Sequence, residues 1–88
     1  MTNQNRQLFH LVLRMSKSDS AFFYFQLEAN DGVAFYSTLD YEEHTQYRDI
    51  DLKGDQRLKS EIENIIFQCQ KKFPITILTD EIIQDKSN

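Results

Sequence analysis

Polar and apolar residues alternate over Leu8–Met15, which predicts a strand. Over Asp19–Ala29 the apolar positions recur at helical spacing instead. Two further strand-like runs follow at Val33–Leu39 and Thr45–Leu52, then a long helical run at Gln56–Phe73 and a last strand at Ile75–Thr79. The order β-α-β-β-α-β is the split βαβ arrangement of the ferredoxin-like fold. It predicts an α+β sandwich: a four-stranded antiparallel sheet, in the order 4-1-3-2, with two helices on one face and the other face open.

The same pattern assigns faces. In the first strand Phe9, Leu11, Leu13 and Met15 point one way and form the expected core side, while His10, Val12 and Arg14 point the other way. In the first helix Ala21, Phe22, Phe25 and Ala29 share a stripe that Phe23 and Leu27 widen, with Ser18 or Asp19 as N-cap. Asn30-Asp31-Gly32 supplies its terminator. In the second strand Val33, Phe35, Ser37 and Leu39 face the core, and Ala34, Tyr36 and Thr38 face outward. Ile50 and Leu52 of the third strand face the helices, whereas Tyr47, Asp49 and Asp51 join the open face. Gly54-Asp55 breaks that strand and caps the second helix, whose Leu58, Ile62, Ile65, Ile66, Cys69 and Phe73 follow the helical period closely. Pro74 then prevents continuation.

An 88-residue chain has room for one domain and one core. Residues 1–7 read as a flexible N-terminal arm, 8–79 as the domain and 80–88 as a polar tail, although Ile82-Ile83 can extend the edge strand. Seven Phe and four Tyr supply the bulk for the core without any Trp. Fourteen acidic residues against ten Lys and Arg give a net charge of −4, which argues against nucleic acid as a partner. The third strand reinforces this, since an RNA-binding sheet needs basic and aromatic residues where Asp49 and Asp51 would repel phosphate. A single cysteine excludes an intrachain disulfide, and the polar start of the chain lacks a signal peptide's apolar core. The expected location is cytoplasmic, with no membrane partner.

Catalytic chemistry has no visible machinery. Asp40, Glu42, Glu43 and His44 cluster between the middle strands, but short acidic turns are usually solvated and no metal-ligand spacing is present. Cys69 lies on the apolar stripe of the second helix and reads as a buried structural thiol. His10 and His44 are far apart, and the two glycines, Gly32 and Gly54, cannot form a phosphate-binding loop. Acylphosphatases share the topology but use a glycine-containing, arginine-bearing loop after the first strand, which Met15–Asp19 does not match. No enzyme activity, metal or cofactor is expected.

The stretch from Asp19 to Asp40, with a helix leading to Glu28, then Asp31-Gly32, then an apolar strand closing in Ser37-Thr38, resembles a small bacterial domain family of unknown function. The topology more broadly resembles ACT-type domains, regulatory modules that pair through sheets or helices and bind amino acids at the interface. That resemblance implies a homodimer with a ligand at the loop between the first strand and first helix. Here the loop is Ser16-Lys17-Ser18-Asp19 and lacks the family's glycine. Lys17, Ser18 and Asp19 are the candidate ligand residues, and exposed amides at the helix start with Lys17 favour a small anion. His10, Val12, Arg14, Tyr36, Tyr47 and Asp49 are the candidate self-association surface, with Arg14 pairing one of the aspartates across strands. The alternative is a protein-interaction adaptor that uses the same face and holds no small molecule.

Overall fold

A computed structural model describes residues 6–30, 32–39 and 46–85. Strand β1 (Arg6–Ser16) leads into helix α1 (Lys17–Ala29), followed by β2 (Phe35–Leu39), β3 (Tyr47–Asp55), a 3₁₀ turn at Gln56–Leu58, helix α2 (Lys59–Gln70) and β4 (Thr76–Asp85). The strands form one antiparallel sheet in the order β2-β3-β1-β4, as the periodicity predicts. Among the described residues no helix is long and apolar enough to cross a membrane.

The core lies between the sheet and the helices. Phe9, Leu11, Leu13 and Met15 of β1 meet Ile50 and Leu52 of β3, Phe23 and Leu27 of α1, and Ile62, Ile65, Ile66 and Cys69 of α2. Each fully buried side chain of this size stabilises the fold by about 1.5–3 kcal/mol. The expected core faces of β1, β3 and α2 therefore hold.

Strand β2 departs from expectation by one residue of register. Tyr36 lies opposite Leu52 and Thr38 opposite Ile50, so both face the helices. Phe35, Ser37 and Leu39 lie on the open face instead, opposite Lys53, Asp51 and Asp49. The reason is side-chain chemistry on α1: the Tyr36 ring stacks on Tyr24 at 5.2 Å, its hydroxyl donates to Glu28, and Tyr24 pairs with the Thr38 hydroxyl. A single-residue shift exchanges every side chain between faces. Val33 stays buried, but just ahead of the strand.

Helix α1 also presents a different stripe. Ser20, Phe23 and Leu27 are buried, while Phe25 is 65% exposed and Phe22 sits at the edge, its ring T-shaped against Phe73. The run Ala21–Phe25 is apolar or aromatic at every position, so spacing alone selects no unique face. The N-cap is Ser16, not Ser18 or Asp19: its hydroxyl accepts from the Asp19 amide at 3.3 Å. Asp55 caps as expected, accepting from the Arg57 amide at 2.9 Å, but it opens a 3₁₀ turn. Gly54 does not break β3. It continues the strand opposite Phe9, whose ring occupies the space a side chain would need.

The sheet is longer than the alternation indicates. Arg6 and Gln7 pair with Asp85 and Gln84, so residues 6–7 and 80–85 belong to the sheet and not to an arm and a tail. Ile82 and Ile83 extend the edge strand, and Asp80 is tied to α2 by Lys59 Nζ at 2.8 Å. A bulge between Val12 and Leu13 of β1 accommodates an extra residue of β4, which places Leu78 at the irregularity.

Candidate functional site

The open face is built from alternate residues of β1 and β3, because these central strands turn every second side chain away from the helices. Arg14 and Asp49 face each other across them. The guanidinium donates through Nε to Oδ1 at 2.8 Å and through Nη2 to Oδ2 at 2.9 Å, a planar two-bond pairing. Asp49 is 3% exposed. Two same-face positions along β1, beyond Val12, His10 spans three strands: Nε2 lies 2.5 Å from Asp51 of β3, and Nδ1 lies 2.6 Å from Glu81 of β4. Burial disfavours the imidazolium, but hydrogen bonds and charge from Glu81 and Asp51 outweigh it, so the His10 pKa rises above its ordinary 6.5. The face thus carries two ion-pair clusters, Arg14–Asp49 and His10 with Asp51 and Glu81, and exposed Lys53, with Val12, Tyr47 and Phe35 between and beside them.

At the end of β1 the face runs into a cleft of about 400 Å³ lined by Arg14, Met15, Ser16, Asp19, Tyr47, Pro74 and Thr76. Its position follows from the chain turning at Ser16 from β1 into α1, with Lys17 N–H donating to Gln46 C=O at 2.9 Å to hold the corner. Half-exposed Tyr47 and Pro74 supply apolar wall; Arg14, Ser16, Asp19 and Thr76 supply polar groups. The helix start is already occupied by its own side chains. Ser16 Oγ bonds Ser18 Oγ at 2.8 Å and Asp19 Oδ2 at 3.1 Å, besides capping the Asp19 amide.

The structure brings five of the nine candidate residues onto one surface: His10, Val12, Arg14, Tyr47 and Asp49. Tyr36 lies on the other side of the sheet, for the reason given above. Of the ligand residues, Asp19 lines the cleft, Ser18 is engaged with Ser16, and Lys17 is exposed and outside the lining. Ser16, the first residue of the candidate ligand loop, also lines the cleft; Pro74 and Thr76 complete it without any sequence signal, because they reach it only when β4 is placed beside β1. Asp40, Glu42, Glu43 and His44 lie outside the described residues. Among the described residues no group of three or more His, Cys, Asp or Glu side chains is arranged to hold a metal ion. Cys69 is buried, and that burial pushes its thiol pKa up.

No protein-family model matches the chain, and no curated protein matches it in sequence. Solved structures do match in shape. The PII-like nitrogen regulatory protein CPII from Thiomonas intermedia K12, bound to ADP, AMP and bicarbonate, superposes with a TM-score of 0.74 at 13% identity, over 97% of this chain and 99% of that one. Staphylococcus aureus protein SA1388 matches with a TM-score of 0.66 at 20% identity, over 97% of this chain but 25% of its own. LarC2, the C-terminal domain of a cyclometallase involved in synthesis of the NPN cofactor of lactate racemase, matches with a TM-score of 0.55 at 9% identity, over 92% of this chain and 56% of its own. At such identities the likeness establishes the ferredoxin-like architecture.

Proposed function

We propose that this protein is a small non-enzymatic regulatory module that holds a small ligand in the β1–α1 cleft and self-associates through its open sheet face. The observation that carries the reading is the cleft itself, where a guanidinium, a half-exposed phenol ring and two hydroxyl side chains converge at a strand-to-helix corner. The shared architecture with a PII-like protein bound to ADP, AMP and bicarbonate supports a ligand-binding use of the fold.

Charge narrows the ligand. Arg14 is bonded to Asp49, Asp19 adds a carboxylate to the lining, and the chain carries a net −4. A polyphosphate would meet repulsion there, so the favoured occupant is a monoanion the size of bicarbonate. Contacts to the anionic oxygens accordingly fall to Arg14, Ser16 and Tyr47, Asp19 accepts from the ligand's own hydroxyl, and Lys17 and Ser18 take supporting positions. For self-association, covering the Arg14–Asp49 pair strands no lone charge, while exposed Lys53 and the half-exposed Glu81 stay at the rim. Val12, Tyr47 and Phe35 provide the apolar contact.

Native mass spectrometry of the gently purified protein tests both parts together. A dimer or higher assembly carrying a discrete, stoichiometric extra mass is the expected result. A bare monomer at all concentrations overturns the reading, and a bare assembly removes the retained ligand from it and favours an adaptor.

A further inference from the structure

The outer surface of the helix layer carries large apolar side chains that neither the core nor the open sheet face uses. On α2 the buried Ile62, Ile65, Ile66 and Cys69 look toward the sheet. The ridge Glu63–Phe67–Lys71, stepping by four residues, therefore looks away from it. Phe67 is 56% exposed, the Glu63 side chain 57%, and Lys71 Nζ lies 5.0 Å from the Phe67 ring centroid. The residues beside the ridge, Ser60, Asn64 and Gln68, are exposed and uncharged. Phe25 of α1 adds a second exposed ring to the same layer.

About Phe67 the ridge reads acid, aromatic, base at equal steps; Lys59, one step before Glu63 and 4.0 Å from it, is turned to Asp80 at 2.8 Å and leaves Glu63 exposed. A two-fold axis through Phe67 brings Glu63 of each copy beside Lys71 of the other, with the two phenyl rings at the centre. A parallel arrangement stacks Glu63 on Glu63 and Lys71 on Lys71 instead. With Phe67 on Phe67, the pattern thus complements itself in the antiparallel orientation and not in the parallel one. We propose that the helix layer is a second self-association surface, in which α2 packs antiparallel against α2 of another copy across a two-fold axis at Phe67. An anionic membrane is disfavoured, because the chain carries a net charge of −4 and the basic residues of the helix layer are spread from Lys17 to Lys72 and do not form a cluster. This surface lies on the far side of the core from the open sheet face and does not depend on that face pairing.

Charge-swapped chains test it, read by Förster transfer between N-terminally labelled copies. Glu63→Lys puts bases on both sides of Phe67, in line with Lys59, and Lys71→Glu puts acids on both sides. Both positions are exposed, so both variants are expected to retain the wild-type circular dichroism spectrum. A mixture of E63K with K71E is expected to show transfer at a concentration roughly tenfold lower than either variant with itself, since two repulsions become two attractions. Contacts through the open sheet face are common to all the mixtures and cancel. The double variant E63K/K71E restores self-complementarity and is expected to associate like the wild type. Equal transfer in like and unlike mixtures, weaker transfer in the unlike one, or no transfer in any mixture overturns the proposal.

Discussion

Arg14 and Asp49 are joined by two parallel hydrogen bonds across the central strands, one partner exposed over a third of its side chain and the other almost fully covered. The asymmetry matters energetically. Asp49 has given up most of its hydration and depends on the guanidinium to replace it, so the arginine holds a carboxylate in place at the edge of the cleft. Arg14→Met is expected to destabilise the protein by about 3 kcal/mol, because it leaves a covered carboxylate unpaired. The double variant Arg14→Met/Asp49→Leu is expected to recover most of that loss. Urea unfolding monitored by circular dichroism measures both. A loss well under 1 kcal/mol in the single variant would show that Asp49 regains water without cost.

His10 makes the stability pH-dependent. Its pKa in the folded chain lies above 6.5, because the Glu81 and Asp51 hydrogen bonds and charges exceed the opposing effect of burial. A raised folded-state pKa contributes stability that is fully present below the unfolded value of 6.5 and is lost as pH rises through the folded value. The urea midpoint is therefore expected to fall from mildly acidic to mildly alkaline pH, and His10→Gln is expected to flatten that segment. A wild-type midpoint constant over the same interval, or one unchanged in slope by the substitution, contradicts the assignment.

Gly54 is sterically required. A Cβ there would lie 2.6 Å from Phe9 Cζ and 2.8 Å from the Val33 carbonyl oxygen, both inside contact distance. Gly54→Ala is expected to cost about 1–3 kcal/mol in thermal or urea unfolding, as for other overpacked sites. Phe9→Leu in the same chain relieves only the ring contact, so the pair is expected to be less costly than the sum of its parts. Strict additivity would mean that Phe9 already moves aside.

Where one side of an element is buried and the other wet, its role was legible from the chain. Phe9, Leu11, Leu13 and Met15 alternate with His10, Val12 and Arg14, and Ile62, Ile65, Ile66 and Cys69 recur at helical spacing; both sets are buried as that pattern requires. The topology and the Arg14–Asp49 pairing follow from those elements. Strand β2 was not legible, because both of its faces mix aromatic and hydroxyl residues and the choice is made by Tyr24 and Glu28 on another element. Helix α1 failed for a related reason, since its continuous apolar run offers several stripes and the sheet accepts Phe23 and Leu27. The extension of β4 through Asp80 and Glu81 hides behind its acidity, which Lys59 and His10 compensate from distant positions. The cleft shares that difficulty, as Thr76 and Ser16 are sixty residues apart in the chain.

The most direct test of the account is a titration of the isotopically labelled protein followed by proton–nitrogen correlation spectra, first with bicarbonate and then with ADP at matched ionic strength. Saturable bicarbonate shifts are expected at the amides of Arg14–Asp19 and Thr76, weakened roughly tenfold by Tyr47→Ala if the ring closes the cleft. ADP is expected to produce no saturable change there. Bicarbonate shifts that do not saturate, that map away from the β1–α1 corner, or that are matched by tight ADP binding in the cleft would contradict the account.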